Sequence, residues 1–242
     1  MVAPSPRECR LRLVRVVSLV PSATETLLAW GIAPIACTRF CEQPSLRTVG
    51  GTKDPDVAAI IELRPDLVVV DEEENRREDH EALVAAGLDV HVLAVRSVDD
   101  VDAQLGSLAG RLGANWNPVG DVEPRPRRGT AFVPIWRRPW IALGVPTYGS
   151  SLLDVLGVDN VFTTSAYPEM LLDDARAADP DVVLAPSEPY PFSERHRAEL
   201  ETVAPVRFVD GKDLFWWGAR TSDAIDRLDA ALGGVRPRRR LP

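Results

Sequence analysis

Five residues, Pro21-Ser22-Ala23-Thr24-Glu25, close an apolar run and open an amphipathic one, and their order has two chemical meanings. Ser22 followed three residues later by Glu25 fits a capping box, in which the serine accepts from a free helix N–H and the glutamate reaches back. The same turn would also offer unpaired N–H groups and the positive end of a helix dipole to a ligand. Aromatic residues gather in three further stretches. "PIWRRPW" holds Trp136 and Trp140, "PSEPYPF" holds Tyr190 and Phe192, and "DLFWWGAR" holds Phe215, Trp216 and Trp217. Tyr148 lies in another stretch of interest, residues 147–151. Such loops, with few ionisable groups, suit a wide apolar cleft for a large flat ligand. Arg220, three residues past Trp217, suits a carbonyl or carboxylate edge of that ligand. A catalytic alternative would draw on the carboxylates Glu25, Asp71, Glu188 and Asp213.

Other chemistries find little support. There is no G-x-S-x-G elbow, no P-loop and no G-x-G-x-x-G after a strand. His80, His91 and His196 stand apart from one another, without a second ligand at metal spacing, and read as surface or packing residues. Cys37 and Cys41 are four apart with no second Cys/His pair, which argues against zinc, and the odd count made by Cys9 fits a reducing compartment. The "DEEE" run, Asp71 to Glu74, is either a cation site or a solvated loop.

These residues must be positioned by alternating short β-rich runs and helical segments. Strands are expected at residues 14–20, 35–38, 67–70 and 90–95, and helices at 22–30, 57–63 and 76–86. The strand runs are nearly all apolar, as parallel strands covered on both faces require. Residues 97–112 form a longer amphipathic helix, with Val98, Val101, Leu105, Leu108 and Leu112 at helical spacing. "NPVGDVEPRPRRG" then makes a linker, and the pattern restarts. "LRPDLVVV" (63–70) is echoed by "ADPDVVLA" (178–185), and "ETLLAWGI" by "SSLLDVLGV". A repeat more than a hundred residues apart is a duplicated lobe rather than a solenoid unit. The expected architecture is α/β: a first lobe at 1–96, a linking helix and Pro/Arg-rich linker at 97–129, and a second lobe at 130–242. The two lobes carry parallel sheets, and the cleft lies between loops at the carboxyl ends of their strands. A continuous helix between lobes would resist hinge bending.

The 242 residues are 45 % apolar and 26 % charged, an ordinary globular composition. A net charge of −8, with the basic runs "RPRR" and "RPRRR" short and Pro-broken, argues against nucleic acid as the main partner. No apolar run reaches the roughly 18–20 residues needed to span a bilayer. The N-terminal stretch "MVAPSPRECRLRLVRVV" lacks the apolar core of a secretory signal, so the expectation is a cytoplasmic monomer as written.

"RVVSLVPSATETLLAWG", followed by "VGGTKDPDVAAIIELRPDLVVV", resembles the first lobe of the periplasmic vitamin B12-binding proteins, within the superfamily of helical-backbone metal receptors. The resemblance covers residues 15 to about 232. It implies a non-enzymatic substrate-binding protein that clasps a chelated metal, such as cobalamin, a ferric siderophore or haem, between two rims, with no intrinsic cofactor. It places Ser22, Ala23 and Thr24 on the cleft turn, Phe40 on an aromatic cleft position, and a ligand-facing tryptophan in "DLFWWGAR". It also implies an ABC-transporter permease as partner and an exported location if the natural N-terminus is longer. The alternative from another class is a cytoplasmic enzyme acting on a tetrapyrrole or related cofactor in the same cleft.

Overall fold

The computed structural model describes residues 14–237. In its first lobe the apolar runs become β1 (Val16–Ser18), β2 (Ala36–Cys37), β3 (Arg47–Thr48), β4 (Leu67–Asp71) and β5 (Val90–Leu93), all parallel in the order β3-β2-β1-β4-β5. Between them run α1 (Pro21–Ala29), α2 (Val57–Leu63) and α3 (Arg77–Ala85). β1 and β4 are buried along their whole length, which is why valine runs rather than alternates there. After α4 (Asp100–Leu112) come β6 (Gly129–Phe132), β7 (Pro134–Trp136), β8 (Trp140–Ala142), α5 (Tyr148–Val155), β9 (Val158–Asn160), β10 (Glu169–Met170), α6 (Leu172–Ala177), β11 (Val182–Pro186), α7 (Arg197–Leu200), β12 (Val206–Val209), α8 (Gly211–Phe215) and α9 (Thr221–Ala231). The second parallel sheet has the order β12-β11-β6-β9.

With β6, β9, β11 and β12 set against β1, β2, β4 and β5, the two parallel sheets have the same strand order. The sequence echo has a structural reason. Each Pro-Asp pair precedes an inner strand, and the aspartate clips that strand to its neighbour. Asp66 Oδ2 accepts from Arg15 N at 2.9 Å just before β1, and Asp181 Oδ2 accepts from Thr130 N at 2.8 Å in β6. The echoed glycines, Gly31 and Gly157, close α1 and α5 in the left-handed region at φ 76° and 72°. At Gly157 a β-carbon would lie 2.3 Å from the Pro126 carbonyl oxygen, so glycine is required on both counts.

Two features depart from the sequence reading. The stretch "PIWRRPW" is a hairpin rather than an open loop: β7, β8 and β10 form a small antiparallel sheet of order β10-β8-β7. The linker arginines are not merely solvated, because Arg127 pairs with Asp154 and Asp159, and Arg125 and Arg128 pair with Asp229. Asp102 of α4 folds the linker back by accepting from Trp116 Nε1, Val119 N and Gly120 N. Trp116 thus stands beyond the helix, edge-on to Trp30 at 6.0 Å.

α4 spans 13 residues, roughly 20 Å at 1.5 Å per residue, and ends at Gly113 in the left-handed region. Val101, Leu105 and Leu108 on it are fully buried in one cluster that draws on both lobes, from Val20, Leu27 and Val69 to Leu152, Leu184 and Leu228. Each lobe has a second, outer cluster of its own. The lobes therefore share a core through α4. Rotating one against the other would break close-packed contacts rather than bend a free strap.

Candidate functional site

Pro21 occupies the first position of α1, where a missing N–H costs nothing, and Val20 is the N-cap without a side-chain cap bond. The helix starts two residues too early for Ser22 to cap it, so the capping box does not form. Ser22, Ala23 and Thr24 are 4 %, 0 % and 0 % exposed. Thr24 points inward, its hydroxyl 2.8 Å from Ser18 Oγ, 3.0 Å from Val20 O and 3.1 Å from Cys41 Sγ. Of this turn only Glu25 keeps appreciable exposure. Freed from capping, Glu25 reaches the other lobe.

There it meets Arg220 in a bidentate pair, 2.7 and 2.8 Å, while Arg220 also donates to Asp213 at 2.9 Å. Arg227 holds the far side of Asp213. Beside this clamp, Ala219 N donates to Thr26 Oγ1 at 3.1 Å. Glu42, just past the 3₁₀ turn Arg39–Cys41, pairs with Lys212 of α8, and Tyr167 donates to Glu73 Oε2 at 3.0 Å. In all three pairs the first lobe supplies the carboxylate and the second the donor. The predicted anchor Arg220 is thereby committed to two carboxylates. Glu25 and Asp213, candidate acid–base groups of the enzyme alternative, are its partners.

The aromatic residues divide. Trp216 is half-buried at the seam, with Lys212 Nζ 4.7 Å and the Arg220 guanidinium 5.4 Å from its ring. Glu188 is beside Lys212 and Trp216; burial pushes its carboxyl up, and those two neighbours pull it back. Phe40 is 49 % exposed, two residues before Glu42. Trp217 and Tyr148 are 5 % and 4 % exposed, and both belong to the shared core, with the Tyr148 hydroxyl on Thr221 at 3.1 Å. Phe215 packs against the same core. Trp136, Trp140, Tyr190 and Phe192 form one ring cluster with His196, the Trp140 and Phe192 rings stacked at 6.1 Å. Three of them pack on the outer, α6/α7 side of the second sheet. Trp217, Tyr148 and Phe192, expected at a ligand face, are buried here against protein neighbours.

The sequence reading missed Tyr167, Lys212 and Glu42, and it took Glu73 only as part of the acidic run. A lone tyrosine, a lysine and a glutamate in loops carry no clustering signal, and only the approach of the lobes gives these four residues their partners. The acidic loop after β4 is also more structured than a solvated run. Asp71 is 4 % exposed, and its Oδ1 accepts from the N–H groups of Glu73 and Glu74 at 2.9 and 3.2 Å. Burial raises its carboxyl to about 6, against the pull of those N–H bonds. Water-stripping neighbours and then the Asp71 charge push Glu74 up as well, although that residue keeps surface in solvent.

A cavity of about 420 Å³ lies where Arg96 and Ser97 meet Pro146, Thr147 and Asn160, but none of Phe40, Tyr167, Glu188 or Trp216 lines it. Among the described residues no cluster of three or more His, Cys, Asp or Glu could hold a metal ion, and no helix is long and apolar enough to cross a membrane.

Residues 16–116 match the family model described as periplasmic binding protein. That match takes in the first lobe and α4, less than half of the chain. A vitamin B12-binding protein of Pectobacterium atrosepticum is 24 % identical over 178 residues, 64 % of this chain and 64 % of that protein, so the match spans less than two thirds of the relative's length. Among solved structures, the periplasmic vitamin B12 binding protein of Vibrio cholerae superposes with a TM-score of 0.71 at 19 % identity, covering 90 % of this chain and 96 % of that one. A periplasmic heme binding protein of Pseudomonas aeruginosa gives 0.73 at 21 % identity, covering 90 % and 91 %. At such identities the structures establish the fold alone, two α/β lobes about a joining helix, and leave the ligand open.

Proposed function

We propose that this protein is the substrate-binding component of an ABC transporter and holds a metal chelate of the corrinoid, haem or ferric-siderophore kind between its lobes without turnover. The observation that carries the reading is the seam itself. Phe40 from one lobe and Trp216 and Tyr167 from the other offer ring surface beside three inter-lobe polar pairs, in a fold whose compared members bind vitamin B12 or heme. Flat conjugated ligands pack well on indole and phenyl faces. The shared core suits a receptor whose cleft is largely pre-formed. The working location we propose is that of the family, outside the inner membrane. The expectation of a cytoplasmic location rested on the N-terminal stretch, of which residues 1–13 lie outside the described residues, as does Cys9.

A thermal-shift screen of cyanocobalamin, dicyanocobinamide, haem and ferrioxamine B tests this. A chelate at 100 times its dissociation constant stabilises the fold by about 2.7 kcal/mol, a rise of roughly 5–10 °C for a chain of this size. The bound chelate should quench tryptophan emission, and Trp216→Ala should remove most of that quenching. The double replacement of Trp216 and Trp217 is unsuitable, because Trp217 is core. No shift with any of the four would refute the receptor reading, and recovery of a chemically altered chelate would favour the enzyme.

A further inference from the structure

Cys37 and Cys41 bracket the turn that carries Phe40, and the fold brings their side chains together. Cys37 ends β2, where it pairs with Ser18 of β1 and Thr48 of β3, and its carbonyl oxygen accepts from Val49 N at 2.9 Å. The chain then tightens into the 3₁₀ turn Arg39–Cys41, in which Cys41 N donates to Thr38 O at 3.1 Å. That turn folds Cys41 back toward β2. Its Sγ lies 3.3 Å from Thr38 Oγ1 and 3.1 Å from Thr24 Oγ1 in the N-terminal turn of α1. A hydrogen bond between the two thiols joins it to Cys37. Both are free cysteines, 1 % and 2 % exposed, while Phe40 and Glu42 on either side of Cys41 are exposed.

The two sulfurs are not equivalent. The bond from Cys37, and then those from Thr24 and Thr38, hold the Cys41 thiol down to about 6 against its burial. The same thiol–thiol bond, and then burial, push Cys37 up. One sulfur is thus disposed to be a thiolate and its neighbour a thiol, which are the states of an attacking and a resolving cysteine. The inter-lobe pairs use neither.

We propose that Cys37 and Cys41 form a redox site, at which a small peroxide links the two thiols as a disulfide and locks the turn that carries Phe40 and leads into Glu42. The Cys41 thiolate attacks one oxygen of hydrogen peroxide. The O–O bond breaks, the other oxygen leaves as hydroxide and takes up the proton that Cys41 had released, and Cys41 becomes a sulfenic acid. The Cys37 sulfur then attacks the Cys41 sulfur. The S–O bond breaks as the S–S bond forms, and the hydroxyl leaves as water with the proton of Cys37. Two thiols and one peroxide give one disulfide and two waters, the peroxide taking two electrons from the sulfurs. Thiols already in hydrogen-bond contact have only to close to the roughly 2 Å of an S–S bond. Burial this deep favours an oxidant close to water in size over a protein disulfide, which must present its own sulfur to the attacking thiolate. The proposal stands apart from the receptor reading, because it needs only the two sulfurs and their neighbours.

The full chain, reduced and freed of reductant, is treated with millimolar hydrogen peroxide, unfolded, alkylated and cut with trypsin. Cleavage after Arg39 puts Cys37 on the peptide 16–39 and Cys41 on 40–47, while Cys9 falls on a third, 8–10. The expected product is 16–39 joined to 40–47, lighter by two hydrogens than the sum of the two and separated again by dithiothreitol. Cys37→Ser should leave a sulfenic acid on Cys41 that dimedone captures, whereas Cys41→Ser should slow peroxide uptake at Cys37 by about tenfold or more. Without any ligand, oxidation should slow hydrogen exchange at residues 38–42 several-fold and leave α6 and α7 unmoved. Both peptides recovered fully alkylated, Cys41 found as sulfinic acid with no joined product, or either cysteine linked to Cys9 instead, would overturn the pairing. The joined product with unchanged exchange at 38–42 would overturn the lock. Should either variant fail to fold, the joined peptides from the parent decide the pairing by themselves.

Discussion

Removing Arg220 should loosen the two lobes by a predictable amount. Its guanidinium is bidentate on Glu25 and singly bonded to Asp213, with side-chain exposures of 16 %, 33 % and 5 % respectively. An exposed ion pair contributes about 0–1 kcal/mol, and a fully buried pair loses about 3–5 when one partner is removed. Because Arg227 still neutralises Asp213 at 2.7 Å, Arg220→Ala strands only Glu25, which is one-third in water. The loss should therefore fall between those limits, about 2–3 kcal/mol, with Glu25→Ala costing about 1–2. Urea unfolding of both single variants and the double variant closes a thermodynamic cycle, and the coupling should be about 1–2 kcal/mol at low salt. A coupling under about 0.5 kcal/mol would mean that the pair does not bind lobe to lobe, and the clamp would be refuted.

Three other outcomes follow from the packing. Leu105→Ala, at a fully buried position of α4 in the shared core, should cost about 3–5 kcal/mol and still give a single calorimetric transition; two separated transitions would show that the lobes fold independently. Gly218→Ala should destabilise by at least 1 kcal/mol or so, since φ is 115° and a β-carbon would sit 2.1 Å from Thr26 Oγ1; an unchanged urea midpoint would contradict the close approach of this loop to α1. Asp71 ordinarily ionises near 3.8 and is held up at about 6 in the fold, so between those values the folded state keeps a proton that the unfolded chain has lost. Stability from this group grows as pH falls, and lowering pH from about 7 to about 5 should stabilise the parent over Asp71→Asn by about 1 kcal/mol. Parallel stability curves for the two would contradict the buried carboxyl.

The duplicated fold was legible because its signals are local. Valine runs fix the inner strands, Pro-Asp clips repeat at residues 65–66 and 180–181, and glycines 31 and 157 end paired helices. The helix α2 falls where the pattern puts it, while α1 starts at Pro21 because proline fits the first turn. The hairpin of β7 and β8 was hidden, since "PIWRRPW" mixes two strands and a turn within seven residues and offers no alternation to read. The site was legible only in outline. Composition picks out aromatic loops but cannot tell an indole at the seam, Trp216, from its neighbour Trp217 in the core, because successive residues of a loop obey no fixed period. Glu25, Glu42 and Glu73 acquire their roles from partners 195, 170 and 94 residues away, a distance over which no motif reaches.

The central claim is that a ligand is held by both lobes at once, and hydrogen exchange with and without the best-binding chelate tests it most directly. Slowed exchange is expected together at residues 38–42 and 71–75 of the first lobe and at 161–168 and 210–220 of the second, with α2, α3, α6 and α7 unchanged. Protection confined to one lobe, or spread over the outer helices instead of the two rims, would contradict the account.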